Sequence, residues 1–307
     1  MNFLFASSHS LAIPIAKSLL KVPGFSGFLT KPDALSGRDR SLRENSFSFG
    51  VIDLGRPIFK ADSASEISKL LIRNEIDLVI TCAYGKLISE ELLNIPTHGW
   101  LNIHYSSLPK WRGAAPVQRA ILAGESEIGY SIFKMDKGLD TGAVLFREVI
   151  NFSNEESCSR VLEKLSNLAA TKIVELLKEI NNWKFQIQDE EGATLAPKIL
   201  KEERRLNIHE SAISLVNKVR ALDINGGAFL IFRGENLNIQ EAIINDESEN
   251  DSNSLSLGEI FNSNGKILIK VGTGLIEVLR LQSPGKKSLL AKDWLNGANL
   301  LPGEKVE

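Results

Sequence analysis

The chain has 307 residues, 43% of them hydrophobic and 24% charged, proportions that support about two cored domains and exclude wholesale disorder. A formal net charge of −2 excludes a globally basic nucleic-acid binder, so any contact with RNA has to come from local basic patches. Cys82 and Cys158 are the two cysteines and show no metal-ligand or CxxC spacing, no apolar run is long enough to cross a membrane, and no basic stretch precedes the apolar start; a soluble, cytoplasmic chain with no metal and no signal peptide is expected.

The opening run NFLFA predicts a strand, and the segment from Leu11 to Leu20 a helix whose Pro14 is tolerable only near the first turn. GFSGFLT and RPIFK predict a second and a third strand. SASEISKLLIRN predicts an amphipathic helix with Ile67, Leu70 and Leu71 on one face. IDLVITCA is continuously apolar, as a central parallel strand buried on both faces should be, and holds Cys82 as a buried thiol. A short helix at SEELLN leads into a strand at GWLNIHYS. This βαβα rhythm predicts an α/β fold with a doubly wound, mostly parallel, Rossmann-like sheet. Between the second and third strands, residues 31–55 are polar and rich in Arg and Ser; loops of that length are usually functional or disordered.

Farther along, residues 153–180 carry helical periodicity for one helix or two, and residues 181–205 lose periodicity and read as a linker. SAISLVNKVRAL predicts a helix. GAFLIF, LNIQEAII, SLGEIF, KILIKV and GLIEVLRL predict five short strands, interrupted by a solvated acidic loop at NDESENDSNS. Such strands suggest a small antiparallel β-barrel of the oligonucleotide-binding (OB-like) type. The expected organisation is an N-terminal catalytic domain over 1–184, a linker over 185–203 and a C-terminal β-barrel domain over 204–307.

One stretch breaks the structural pattern. In WLNIHYS the apolar run is interrupted by Asn102 and His104, which a two-residue period turns to the same side of the strand. Ligands of open α/β sheets sit at the carboxyl ends of the strands. A second polar element, KMDKGLDTGAV, brackets Asp140 between Gly138 and Gly142, whose backbone freedom suits the aiming of a carboxylate. Asp136 competes for an acid role but lacks that bracket. Spacing alone also fits a capping Asn, a core His and a turn Asp.

Taken together, NIHYSSLPKWRGAAPVQ and GLDTG resemble the formyltransferase superfamily that uses 10-formyltetrahydrofolate, and among its members those that formylate methionyl-tRNA. The resemblance runs nearly end to end: FA after the first strand, KPD and SGR in the long loop, AYGKLI, and then NKVRAL, GGAF and LQSPGKKSLLAKDWLNG in the second half. Four departures stand out. Ser7-Ser8-His9-Ser10 replaces the family's Gly-Thr-Pro-Asp, Ser107 replaces the first of two leucines, Gly37-Arg38-Asp39 replaces Gly-Arg-Gly, and RLNIHES replaces a more usual Arg-Ile-Asp-Trp.

The resemblance implies transfer of a formyl group from 10-formyltetrahydrofolate, the donor cosubstrate, to the α-amino group of methionyl initiator tRNA. It implies that Asn102, His104 and Asp140 are catalytic. Asn102 would donate to the oxyanion; His104 would stabilise that charge or shuttle a proton; Asp140 would orient the imidazole or accept a proton through water. Folate is expected beside Ala83, Tyr84 and Gly85 and the wall of Ser106, Ser107, Leu108 and Pro109. For tRNA, Arg38 and Arg40 in the long loop and Lys201, Lys218, Arg220, Lys286 and Lys287 in the second domain are the candidates. Arg112 fits a phosphate contact or a structural carboxylate pair. The chain is expected to act as a monomer without a membrane partner. The rivals are formylation of glycinamide ribonucleotide or of an amino-sugar nucleotide. A dinucleotide-binding dehydrogenase is disfavoured, since FASSHS has no glycine where its fingerprint would lie.

Overall fold

The computed structural model describes residues 1–36, 41–245 and 255–307. Two compact units emerge: Met1–Pro116 with Ile128–Ile150 and Leu162–Ala196, and Val117–Glu127 with Asn151–Val161 and Pro197–Glu307. The segment read as a linker therefore contributes residues 185–196 to the first unit.

The first unit is built on a seven-stranded sheet. Its strands are β1 (Phe3–Ala6), β2 (Phe25–Thr30), β5 (Ile58–Lys60), β6 (Leu78–Thr81), β7 (Trp100–His104), β8 (Glu127–Lys134) and β9 (Val144–Asn151), in the order β5-β2-β1-β6-β7-β8-β9. From β5 to β7 all neighbours are parallel, and β8 runs antiparallel to β7. The sheet is mixed, with a parallel centre. Phe3, Leu4, Phe5, Leu78, Val79 and Ile80 are all fully buried, as strands covered on both faces must be.

Around this sheet stand α1 (Ile13–Leu19), α2 (Ser46–Val51), α3 (Ala64–Arg73), α4 (Glu90–Leu93), and the long α6 (Cys158–Lys178), whose first residues belong to the second unit. The intervening α5 (Pro116–Leu122) falls in the second unit after its first residue. Pro14 lies in the first turn of α1, where its missing N–H costs nothing. Ser63 and Glu66 form a capping box on α3, each side chain accepting the other's backbone N–H at 3.1 and 2.9 Å. Residues 153–180 yield one helix of 21 residues rather than two.

The described residues of the long polar segment are more ordered than their composition predicts. Among its described residues β3 (Ala34–Ser36) and β4 (Ser41–Arg43) pair antiparallel, and α2 follows, capped by the Asn45 side chain on Ser48 N–H at 3.0 Å. That helix delivers Phe47 to the core, where it meets Phe5 and Phe28 edge-on. Full burial of such a ring is worth about 1.5–3 kcal/mol.

In the second unit, β10 (Ala228–Phe232), β11 (Glu235–Asn245), β12 (Ile260–Ser263), β13 (Lys266–Lys270), β14 (Leu275–Gln282) and β15 (Leu289–Leu290) form one antiparallel sheet. Its path is β10-β11-β14-β13-β12, with β15 beside β14. No β10–β12 ladder closes it among the described residues. The chain end touches both edges, however: Glu307 exchanges backbone hydrogen bonds with Ile231, and Val306 N–H donates to the Gly258 carbonyl. Helix α7 (Ala212–Ala221) buries Leu215, Val216 and Val219, and α8 (Ala291–Ala298) packs Trp294 on Phe232. The acidic loop at 246–254 lies outside the described residues.

Both cysteines are buried and free. Among the described residues no helix is long and apolar enough to cross a membrane.

Candidate active site

The chain leaves β1 toward β2 on one side and later returns to β6 on the other, so a topological switch point lies between β1 and β6. The departure Ser7-Ser8-His9-Ser10 lies there and stitches the two loops together. Ser8 N–H donates to the Ala83 carbonyl at 3.2 Å, and its hydroxyl to the Tyr84 carbonyl at 2.8 Å. His9 caps the following turn by accepting Leu11 N–H. Ala83 and Gly85 are exposed in the left-handed region, at φ 48° and 65°, while Tyr84 turns inward and is buried. The Gly85 carbonyl takes the Lys31 ammonium. An exposed, polar-edged backbone ridge thus results, pinned from β1.

One strand over, parallel register sets Thr81 of β6 beside Asn102 of β7. The Thr81 hydroxyl donates to Asn102 Oδ1 at 2.8 Å. With its oxygen committed to β6, the amide keeps Nδ2 as the donor it can offer a substrate. His104 ends the same strand, buried and edge-on to Phe133 at 6.5 Å. Its Nε2 lies 2.9 Å from the Trp111 carbonyl, an atom that only accepts, so Nε2 carries a proton.

The other ring nitrogen, Nδ1, is 3.6 Å from Asp140 Oδ2, just beyond hydrogen-bond range; with Nε2 already a donor, a small movement closes a bond there only when Nδ1 carries a proton as well. Asp140 has φ 55°, a left-handed conformation that Asp tolerates better than most residues. Its Oδ2 accepts Gly113 N–H at 2.8 Å. Gly142 is required beside it: a Cβ there would fall 1.8 Å from the Lys134 carbonyl. Asp136 takes the turn-forming role instead, accepting Gly138 N–H at 2.9 Å and the Thr141 hydroxyl at 2.7 Å. The structure therefore brings Asn102, His104 and Asp140 to one strand end and sets Asp136 aside.

The wall residues are mostly structural in their contacts. Ser106 is buried, its hydroxyl bonded to the Lys110 carbonyl at 2.6 Å. Leu108 is fully buried with Phe133 and Val144, and its N–H donates to Ser131 Oγ. The Leu108–Pro109 bond is cis. Ser107 and Pro109 are half-buried. Of its two readings, Arg112 takes the structural one: it is buried, with Nε and Nη2 on Gln188 Oε1 at 3.1 and 2.9 Å and a fork onto Glu190 at 3.0 Å. That hydrogen bond holds the Glu190 carboxyl below the usual carboxylate range.

Gln188 and Thr194 carry no sequence signal, because they lie in the aperiodic linker-like segment. Thr194 Oγ1 accepts Trp111 N–H at 2.8 Å and its carbonyl accepts Arg112 N–H at 2.8 Å. Gln188 is buried while its neighbour Ile187 is 85% exposed, the reverse of what hydrophobicity predicts.

Of the basic candidates, Arg38 and Arg40 lie outside the described residues. Lys201, Lys286 and Lys287 are exposed and Lys218 is half-buried beside Glu203. Arg220 is different. It is buried, with Nη1 on the Ser153 and Glu156 carbonyls at 3.1 and 3.2 Å and Nε on Asn217 at 3.0 Å. Its guanidinium serves the second unit's interior, which leaves it out of a phosphate-facing surface. Among the described residues no three His, Cys, Asp or Glu side chains gather as a metal-binding set.

Residues 26–177 match the formyl transferase family and residues 198–299 the formyl transferase C-terminal domain family. A methionyl-tRNA formyltransferase of Caldicellulosiruptor saccharolyticus is 35% identical over 99% of this chain and 99% of its own length. Among solved structures, a methionyl-tRNA formyltransferase from Clostridium thermocellum superposes with TM-score 0.59 at 17% identity, over 81% of this chain and 95% of that one. HypX from Aquifex aeolicus in complex with tetrahydrofolic acid superposes with TM-score 0.66 at 16% identity, over 96% of this chain and 47% of that one.

Proposed function

The chain belongs to the formyl transferase family, and on that premise we propose that it moves a formyl group from 10-formyltetrahydrofolate to the α-amino group of methionyl initiator tRNA, yielding the formylated initiator for translation. The observation that carries this reading is the convergence of Asn102, His104 and Asp140 at one strand end, with Asp140 Oδ2 3.6 Å from His104 Nδ1. The choice of acceptor is supported by similarity that extends through the second unit.

In this reading the amine nitrogen attacks the formyl carbon, the carbon–oxygen double bond opens to an oxyanion, and the bond to the folate nitrogen then breaks as the oxyanion collapses. Asn102 Nδ2, freed toward the site by Thr81, donates to the oxyanion; one such donor is worth about 10²–10³ in rate. The attacking amine must lose a proton and the departing folate nitrogen must gain one. The His104–Asp140 pair is the group placed to move it, a contribution of about 10²–10⁴. The acceptor amine is itself the nucleophile, so Ser106 and Ser107 carry no acyl group. Ala83, Tyr84, Gly85 and the wall from Ser106 to Pro109 border the folate, chiefly through backbone.

Catalysis is assigned to the first unit and tRNA binding to the second, with Lys201, Lys218, Lys286 and Lys287 as its phosphate contacts, Arg38 meeting the acceptor end and Arg40 a further tRNA contact. Residues 304–307, hydrogen-bonded to both sheet edges, support a closed, OB-like barrel for the second unit. A monomer in the cytoplasm goes with this role. The test supplies the formyl donor with methionyl initiator tRNA, glycinamide ribonucleotide or an amino-sugar nucleotide. Formylated tRNA is the expected product; turnover of another amine and not of tRNA would refute the assignment.

A further inference from the structure

The carboxylate of Asp140 stands on a backbone turn that does not hold itself. A non-glycine residue at φ 55° persists only where its surroundings over-determine it. Gln188 supplies that restraint. Its Nε2 donates to the Asp140 carbonyl and to the Gly142 carbonyl, each at 2.8 Å, spanning the turn from both sides. Its Oε1 accepts two hydrogen bonds from Arg112. A guanidinium only donates and a carbonyl only accepts, so the amide has a single orientation that satisfies all four contacts. Arg112 is anchored in turn by the fork onto Glu190. The next residue, Gly113, gives its N–H to Asp140 Oδ2. Backbone and side chain of Asp140 are thus held by consecutive links of one chain of contacts: Glu190, Arg112 and Gln188 for the carbonyl, Gly113 for the carboxylate.

We propose that Gln188 is a positioning residue for Asp140, with Arg112 fixing the sense of its amide, so that the aperiodic segment at 185–196 is a working part of the active site. The effect on rate rests on the formyl-transfer reading; the clamp itself does not. Gln188→Glu separates the two halves of the amide's work, because a carboxylate still satisfies Arg112 but turns an acceptor onto two carbonyls. Displacing a reacting group by about 1 Å typically costs about 10²-fold in rate. Gln188→Glu should therefore lower kcat about 10–100-fold, with KM for tRNA and for the formyl donor within about twofold of the parent. Gln188→Met, uncharged and of similar length, should lose rate in the same way and guards against a folding failure of the first variant. In an Asp140→Asn background Gln188→Glu should change the rate less than about twofold, since residues acting through one group are not additive.

A second readout needs no substrate. Exchange protection of the Gly113 amide, followed by NMR, should fall about tenfold in Gln188→Glu. Unchanged protection, kcat within about twofold of the parent, or the same rate loss with and without the Asp140 carboxylate would each overturn the proposal. A parent enzyme that fails to formylate tRNA, with Gly113 deprotected in the variant, would instead retire the acceptor assignment and keep the clamp.

Discussion

Asp140→Asn isolates the charge of the site from its geometry. Asn tolerates the left-handed conformation as Asp does, and its side-chain oxygen can still accept Gly113 N–H. Exchanging a charge-assisted hydrogen bond for a neutral one costs about 1 kcal/mol, so the variant should fold with slightly reduced stability. The electrostatic loss is larger. At the observed 3.6 Å, an effective dielectric of about 20 makes the attraction between a carboxylate and a charged imidazole about 4–5 kcal/mol. Forfeiting that in the transition state corresponds to about 10³ in rate, inside the range of general acid–base help. Single-turnover formylation of methionyl-tRNA should accordingly slow about 10²–10³-fold, with donor binding little changed. A rate within about tenfold of the parent, in a variant whose Gly113 amide stays protected, would refute the coupling of Asp140 to His104. Asp140→Ala is the poorer test, because alanine is strained at this φ and mixes misfolding of the turn with loss of charge.

The second unit offers a contrast between surface and interior cations. Replacing Lys286 and Lys287 by Gln should shallow the dependence of log tRNA affinity on log salt by about 2, near 0.9 for each phosphate no longer neutralised; an unchanged slope would remove both from the interface. Arg220→Gln should leave that slope alone and lower stability by about 1–3 kcal/mol, measured by denaturant titration, because the hydrogen bonds from the buried guanidinium to the Ser153 and Glu156 carbonyls are lost. Burial pushes the Cys82 thiol up to about 12 and also raises that of Cys158. Neither should react with a thiol-specific disulfide reagent at about pH 8 until the chain is unfolded, since the thiolate is the reactive form; rapid native-state labelling of either would contradict the packing.

The helices and strands whose signals are local were legible. The amphipathic spacing of Ile67, Leu70 and Leu71 marked α3, and the apolar run before Cys82 marked the buried β6. Asn102 and His104 stood out because strand period alone turns them to one side. Elements embedded in polar sequence were harder to see. The Asn45 cap and Phe47 of α2 lie in a segment whose composition reads as loop, and β9 buries only part of its length. Basic residues misled in the opposite direction: nothing in NKVRAL distinguishes the half-buried Lys218 from the interior Arg220, because charge in a sequence carries no record of which way a helix face turns.

By itself the sequence determined the alternation of strands and helices, the strand-end placement of an amide beside an imidazole, and a motif set shared with the formyl transferases, all of which depend on residues close together in the chain. Only the tertiary structure decided that Asp140 rather than Asp136 faces His104, that Thr81 turns the Asn102 amide, and that a glutamine 76 residues beyond Arg112 in the chain holds the loop beneath the carboxylate. The reason is physical. Periodicity and capping are settled within a few residues, whereas a buried polar group is satisfied by whatever partner the completed fold brings within about 3 Å, and that partner's position along the chain is unconstrained by local pattern.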